Sequence, residues 1–249
     1  MLNQKKIFQF MKKLLFILIL MIVISTKFSF AQKGFHAGLG MNYNTVWIIN
    51  QNSYGLDEYD YALDMGSALR FDVGYNFTDH LGLQTGFTSF KSGQKYDESH
   101  GADLHREIKM HYTGVPFQFV FVGGKSTVKF YAAAGPQFSF LGSASLNGNY
   151  YGAGNSATIE AKERFEKSNT GLNFGLGANI SITEFLYINA GMSFLYGFSD
   201  INAESGTGAQ AFGGTTWRWP SHNTNTYEAS NLANGGFSIG IHYLMSTAK

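Results

Sequence analysis

From Gly34 to Tyr243 the chain alternates between large apolar side chains and small or polar ones. A period of two fits β-strands whose two faces meet different surroundings. The clearest run is Leu186 to Phe198. One face carries Leu186, Ile188, Ala190, Met192, Phe194, Tyr196 and Phe198, and the other carries Tyr187, Asn189, Gly191, Ser193, Leu195 and Gly197. Residues 172–182 repeat the pattern, as do Phe237, Ile239, Ile241 and Tyr243 against Ser238, Gly240 and His242. The chemistry of the faces then separates water from lipid. A soluble barrel turns apolar side chains inward, whereas a membrane barrel turns them outward around a polar lumen. Here the apolar faces carry aromatics in nearly every strand, such as Phe71, Tyr75, Phe77, Phe117, Phe119 and Phe121. The opposite faces hold Gly and Asn with Arg70, Asp72, Gln84, Gln118, Lys129 and Gln137. Gly and Asn make a poor dry core and suit a narrow hydrated interior.

The alternation predicts strands over 34–46, 67–78, 81–91, 107–121, 127–142, 169–182, 186–200 and 230–245. Most reach the ~9–11 residues a tilted strand needs to cross a bilayer. The connections alternate in length. Those near 47–66, 92–106, 143–168 and 201–229 are long and polar, and those near 79–80, 122–126 and 183–185 are short. That asymmetry predicts an all-β fold: an eight-stranded antiparallel transmembrane β-barrel of OmpA/OmpX-type size, with four long outer loops and short periplasmic turns. Trp47, Phe77, Phe90, Phe140, Phe185, Tyr187 and Phe198 fall near predicted strand ends and are candidates for interfacial girdles. Pro116 and Pro136 fall inside predicted strands, where a missing N–H costs a ladder bond, and are expected to mark bulges.

The N-terminus carries a different signal. Lys12 and Lys13 precede an apolar run from Leu14 to Ile24, followed by Ser29-Phe30-Ala31. Charged segment, apolar segment and small-x-small site are the parts of an export signal, and the apolar run is shorter than the ~20 residues of a membrane-crossing helix. The expected organisation is a cleaved signal peptide over 1–31, with Met11 a second candidate start, and a barrel domain over 32–249. The first 31 residues hold five lysines and no acid; without them 13 of the 18 basic residues face 17 acidic ones, a net charge of −4. That sign argues against a nucleic-acid partner. The absence of cysteine removes disulfides and thiolate metal sites.

Several short motifs, taken in order, resemble the PorT-like outer-membrane β-barrel proteins of the Bacteroidetes. They are Gly34-Phe35-His36-Ala37-Gly38-Leu39, Leu81-Gly82-Leu83-Gln84-Thr85-Gly86, Val115-Pro116-Phe117-Gln118 and Tyr131-Ala132-Ala133-Ala134-Gly135-Pro136. The resemblance covers nearly all of the mature chain. It implies a barrel in the cell outer membrane, reached after export through the inner membrane, and little about activity.

No residue set amounts to a catalytic, cofactor or metal signature. Arg70, Asp72 and Lys129 are expected to form an internal ion-pair network rather than a pore constriction. The carboxylates and two histidines between Asp97 and Glu107 lack the ligand spacing of known calcium or zinc motifs. The charged run Glu160 to Lys167 reads as a solvated loop edge. Ser221 and His222, with Asp200 or Glu228, lie close in sequence, but triads are defined by geometry. Trp217, Trp219 and Tyr227 are candidates for a contact surface. The expected function is therefore non-enzymatic, a structural or interaction role through the outer loops. The expected partners are outer-membrane lipid, the barrel-assembly machinery during insertion, and a surface or envelope protein. An outer-leaflet lipid-modifying enzyme, a narrow pore and a subunit of a secretion machinery are the alternatives.

Overall fold

The computed structural model describes residues 33–49, 60–97, 105–124, 126–148, 157–203, 210–212, 215–217 and 229–245. The predicted signal peptide and parts of the four long connections lie outside the described residues. Eight long strands form the wall: β1 Gly34–Ile49, β2 Asp64–Asn76, β3 Leu81–Asp97, β4 His105–Gly123, β5 Val128–Gly148, β6 Ser168–Ser181, β7 Leu186–Gly197 and β8 Asn231–Met245. Each pairs antiparallel with the next. β8 returns to pair with β1 from Phe35↔Met245 to Ile49↔Asn231, so the sheet closes on itself.

Two of the short turns share one construction. In the β2–β3 turn, the Thr78 hydroxyl accepts the N–H groups of His80 and Leu81 at 3.1 and 2.8 Å. In the β6–β7 turn, Thr183 accepts those of Phe185 and Leu186 at 3.2 and 3.0 Å. A threonine followed by an acid, one further residue and Leu thus satisfies backbone donors that a tight turn would leave unpaired.

The predicted faces hold through the lower and middle wall. Phe35, Leu39, Phe71, Leu83, Phe119, Met192, Phe237 and Ile241 project outward and exposed, while Asp72, Gln84, Gln118, Lys129, Gln137 and Asn189 are buried inside. Three features depart from the sequence reading. First, β3 and β5 run six residues beyond the expected ends of 91 and 142, and β1 three beyond 46. Alternation continues there, but its chemistry swaps. Lys91, Lys95, Glu107, Lys109 and His111 stand on the outward side, while Tyr96, Ile108, Met110 and Leu146 are buried inside. A search for apolar-out strands therefore stops short.

Second, the prolines are not bulges. The β3–β4 ladder skips from Thr85↔Phe117 to Thr88↔Gly114, and the β4–β5 ladder from Pro116↔Gln137 to Phe119↔Ala134, each without a change of register. The lost pairs are bridged in place, and the Thr85 hydroxyl donates to the Pro116 carbonyl at 2.8 Å. The register shift between β4 and β5 lies instead at His111/Tyr112, where the swap of face chemistry begins. Third, Phe90 and Tyr187 are not girdle residues. Their parity turns them into the lumen, where Phe90 stacks on Tyr112 and Tyr187 on His242, with ring centroids 5.5 and 4.9 Å apart. Phe77, Phe140, Phe185 and Phe198 are exposed on the outward face as expected.

The face assignment gives a paired test. Met192→Arg should destabilise the barrel by ~2–4 kcal/mol near the bilayer midplane. Ser193→Ala, one residue on and facing the lumen, loses only the 3.0 Å hydrogen bond from Asn42 and should cost about 1 kcal/mol. Urea unfolding of the refolded protein in lipid vesicles measures both.

Candidate functional site

Seen from the turn end toward the end carrying the long connections, the lumen is filled in layers. The lowest contains His36, His242 and Tyr187. Tyr187 lies nearly parallel to His242, and the two histidine rings are 5.9 Å apart. Inward glycines make room for them. Gly38 pairs directly with His242 and Gly74 with His36, and a Cβ on either glycine would lie 2.3 or 2.4 Å from the ring opposite. From composition, glycine on the inward faces suits a narrow hydrated interior and gives no single glycine a role. The pairing of Gly38 and Gly74 opposite an inward ring is the signal that gives them one.

Above this layer the Arg70 guanidinium Nε meets Asp72 Oδ2 at 2.6 Å, with Asp72 wholly buried. Lys129 also points inward, but on the turn side, in the ladder row of Asn179 and Asn189. Of the three predicted lumen charges, Arg70 and Asp72 therefore form one ion pair, and Lys129 belongs to the turn-side part of the lumen. Amide side chains fill the next layer. Gln118 donates to Asn173, Asn173 to Gln137, and Gln137 to Ser139, at 3.0, 2.6 and 3.1 Å. Here Asn42, Asn44, Thr88 and Asn234 bound a cavity of about 30 Å³, room for a water molecule or two.

The outer end is closed differently. Ile48, Phe90, Tyr96, Ile108, Met110, Tyr112, Leu146 and Leu232 converge from the wall into a dry cluster. The connections complete it by inserting Ala161, Phe165 and Ile201. The charged run keeps Glu160, Glu163 and Lys167 exposed, as expected of a solvated edge, while Ala161 and Phe165 within it turn into this closure. Lys162–Arg164 forms a 3-10 turn with Ala161 and Phe165 buried on either side. Backbone bonds fix it: Ala161 N–H to Ala144 at 2.8 Å, Glu166 N–H to Ile201 at 2.8 Å and Ala203 N–H to Arg164 at 3.2 Å. Asp200, one candidate acid for a triad, accepts the N–H groups of Asn202 and Ser230 at 3.0 and 3.1 Å. It ties the two ends of the β7–β8 connection together. Ser221, His222, Glu228, Trp219 and Tyr227 lie outside the described residues, and Trp217 ends a short hairpin strand, Thr215–Trp217.

Around this plug the wall becomes a water-facing sheet. Two short strands, Asp60–Ala62 and Ala157–Glu160, widen it by pairing with the outer ends of β3 and β5. The predicted acidic stretch is split between this sheet and residues outside the description. Asp97 lies opposite both Asp60 and His105, and among the described residues no three His, Asp or Glu side chains gather to hold a metal. Glu107 instead joins a lysine network. It accepts from Lys109 at 2.7 Å and lies 3.7 Å from Lys95 and 3.9 Å from Lys91. Asp64, in the split where β3 leaves β2, takes Lys91 and Lys95 at 3.1 and 3.3 Å. Burial works against the Lys95 ammonium, but the two carboxylates outweigh it and hold its pKa above the ordinary lysine value.

Residues 30–203 match a family described as outer membrane protein beta-barrel domain. The chain belongs to this family. Its closed lipid-facing barrel is that of an outer-membrane protein, and the outer membrane is where it resides. Among solved structures, the family member is similar to OprG from Pseudomonas aeruginosa at 14% identity, covering 87% of this chain and 98% of that one, with a TM-score of 0.45. It is similar to Neisserial surface protein A at 14% identity, 86% and 98% coverage and a TM-score of 0.41. The values for Ail, the attachment invasion locus protein of Yersinia pestis, are 15%, 85%, 98% and 0.36. No curated protein sequence matches the chain.

The plug predicts a stability signature at the outer end. Leu146→Ala or Met110→Ala should cost ~2–5 kcal/mol, as for other large-to-small core changes. Ser145→Ala, on the outward side of the same strand, should stay within about 0.5 kcal/mol. Urea midpoints of the three variants check this.

Proposed function

We propose that this outer-membrane barrel is non-enzymatic and works through its outer end, as a rigid platform that presents the long connections to a surface or envelope partner. The observation that carries this reading is the apolar plug. It closes the lumen at the outer end and locks the β5–β6 and β7–β8 connections onto the wall through Phe165, Ile201 and the Asp200 carboxylate. A conduit needs an open lumen and gains nothing from such a core, whereas a binding surface gains preorganisation from it. The layered filling below, with its 30 Å³ cavity, supports the same reading. Within the family, the ordered motifs from Gly34 to Pro136 support a PorT-like relationship. The export pattern over 1–31 supports a periplasmic N-terminus, with the turns on that side and the plugged end outside.

Orientation is the part on which the role depends. A cysteine at Ser145, on the water-facing side of the outer sheet, should react with an impermeant thiol reagent on intact cells. One at Ser126, in the β4–β5 turn, should react only after the outer membrane is opened. In planar bilayers the intact barrel should give no steady conductance. The reverse labelling pattern would move any binding role to the periplasm, and a stable open channel would replace the platform with a pore.

A further inference from the structure

On the outward face of the described strands, lysine and arginine occur in one place: Lys91 and Lys95 on β3 and Lys109 on β4. Their height is set by the register. Phe140 is exposed to lipid and lies opposite Thr113, and the next outward row is Lys91, His111 and Ser143. One outward step on a strand is about 7 Å. The lysines therefore begin one step above an exposed aromatic, at the level of lipid headgroups, and reach the water-facing sheet above it. Beneath them the lipid-facing wall is rich in exposed aromatics, with Phe87 on β3, Phe117 on β4 and Phe138 on neighbouring β5.

The charge around the lysines is layered. Asp64 and Glu107 are the carboxylates of the network, and their side chains are 0% and 16% exposed. Lys95 and Lys109 are 43% and 41% exposed above them. Within the network three ammonium groups stand against these two carboxylates; exposed Asp60 and Asp97 lie one outward step farther from the lipid-facing wall than Lys95, and exposed Glu160 lies in the row of Lys109. The carboxylates hold the lysine ammonium groups themselves, which fixes the three cations in one cluster while Lys95 and Lys109 stay partly exposed.

We propose that Lys91, Lys95 and Lys109 form a docking site for the phosphate groups of an outer-leaflet glycolipid whose acyl chains lie on the aromatic wall of β3–β5. The site needs neither the connections nor a protein partner, but it rests on the orientation proposed above, which puts the lysines in the outer leaflet and which the thiol labelling tests separately. It would make lipid contact directional, with one side of the barrel holding phosphorylated lipid and the opposite side in contact with acyl chains.

The test uses the full barrel in detergent, with bound lipid counted by native mass spectrometry during titration with diphosphorylated lipid A. Lys91 is kept to neutralise buried Asp64, and Lys95→Gln/Lys109→Gln removes the two exposed cations. At about fivefold per lysine near an anionic lipid surface, the double variant should bind about 25-fold more weakly. A lipid A analogue without phosphates should bind both proteins alike, and Lys162→Gln/Lys167→Gln on the β5–β6 connection should leave binding unchanged. Glu107→Gln, which uncovers the lysines, should strengthen it and provides an independent readout if the double variant fails the heat-shift test of folding. Equal binding of diphosphorylated lipid A by wild type and a folded double variant would overturn the site, as would no gain from Glu107→Gln. Displacement of the lipid by millimolar inorganic phosphate, or a sulfated polysaccharide bound more tightly through the same lysines, would also overturn it in favour of a soluble anion.

Discussion

In hydrocarbon, a backbone N–H or C=O that finds no partner within the protein costs several kcal/mol, and lipid supplies none. The ring of strand pairings from β1 to β8 and back is the response to that constraint. Much else in the wall follows from it. The two prolines are accommodated by skipping pairs without shifting register, because a slip of one residue would turn every lipid-facing side chain into the lumen. The Thr85 hydroxyl covers one of the carbonyls at that interruption. Where a strand must break register, it does so at His111/Tyr112, toward the water-facing end of the wall.

Closing eight strands leaves an interior just wide enough for its own side chains, and the two ends of this interior are filled by different chemistry. Within the membrane, side chains facing lipid must be apolar, so polar ones line the lumen and bond to one another. Past the headgroups water covers the outside, and the same alternation serves the opposite purpose. Outward residues become lysine, glutamate and serine, and inward Tyr96, Ile108, Met110, Ala144 and Leu146 join a hydrophobic core, with Ser92, Gln94 and Arg106 buried beside it. The chain is thus a membrane barrel continued into a water-facing sheet without interrupting β3, β4 or β5. The position of the swap fixes where the wall meets the headgroups. It also explains why the outer connections can be packed: Phe165 and Ile201 insert into a core that a purely polar lumen would not offer.

The strand count, the closure and the lipid-facing side of nearly every strand were legible in the alternation of residues such as Leu186 to Phe198. The outer strand ends were not. The sequence reading begins β4 at 107 and loses only two residues there, whereas it ends β3 and β5 six residues short. Past Lys91 the outward side of β3 carries Lys95, and past Phe140 the parity of β5 shifts, so that Ala144 and Leu146 are buried inside. Reading one fixed meaning into each face stopped those two strands early. Phe90 and Tyr187 were assigned from closeness to strand ends, whereas parity decides which way a side chain points. The roles of Gly38 and Gly74 depend on cross-strand register, which a single strand does not reveal. The lysine network was hidden for the same reason: Lys91, Lys95, Glu107 and Lys109 come from two strands, and only their pairing brings the charges together.

The inversion of face chemistry along one unbroken strand is the claim from which the plug, the water-facing sheet and the headgroup level all follow. Spin labels placed singly along β4 in the reconstituted barrel test it, with oxygen reporting lipid and a water-soluble nickel chelate reporting solvent. Labels at Phe117, Phe119 and Phe121 should be relaxed by oxygen, those at Lys109 and His111 by the chelate, and those at Ile108 and Met110 by neither. Lipid-type relaxation continuing up the outward side to Lys109, or chelate access at Ile108 and Met110, would contradict it.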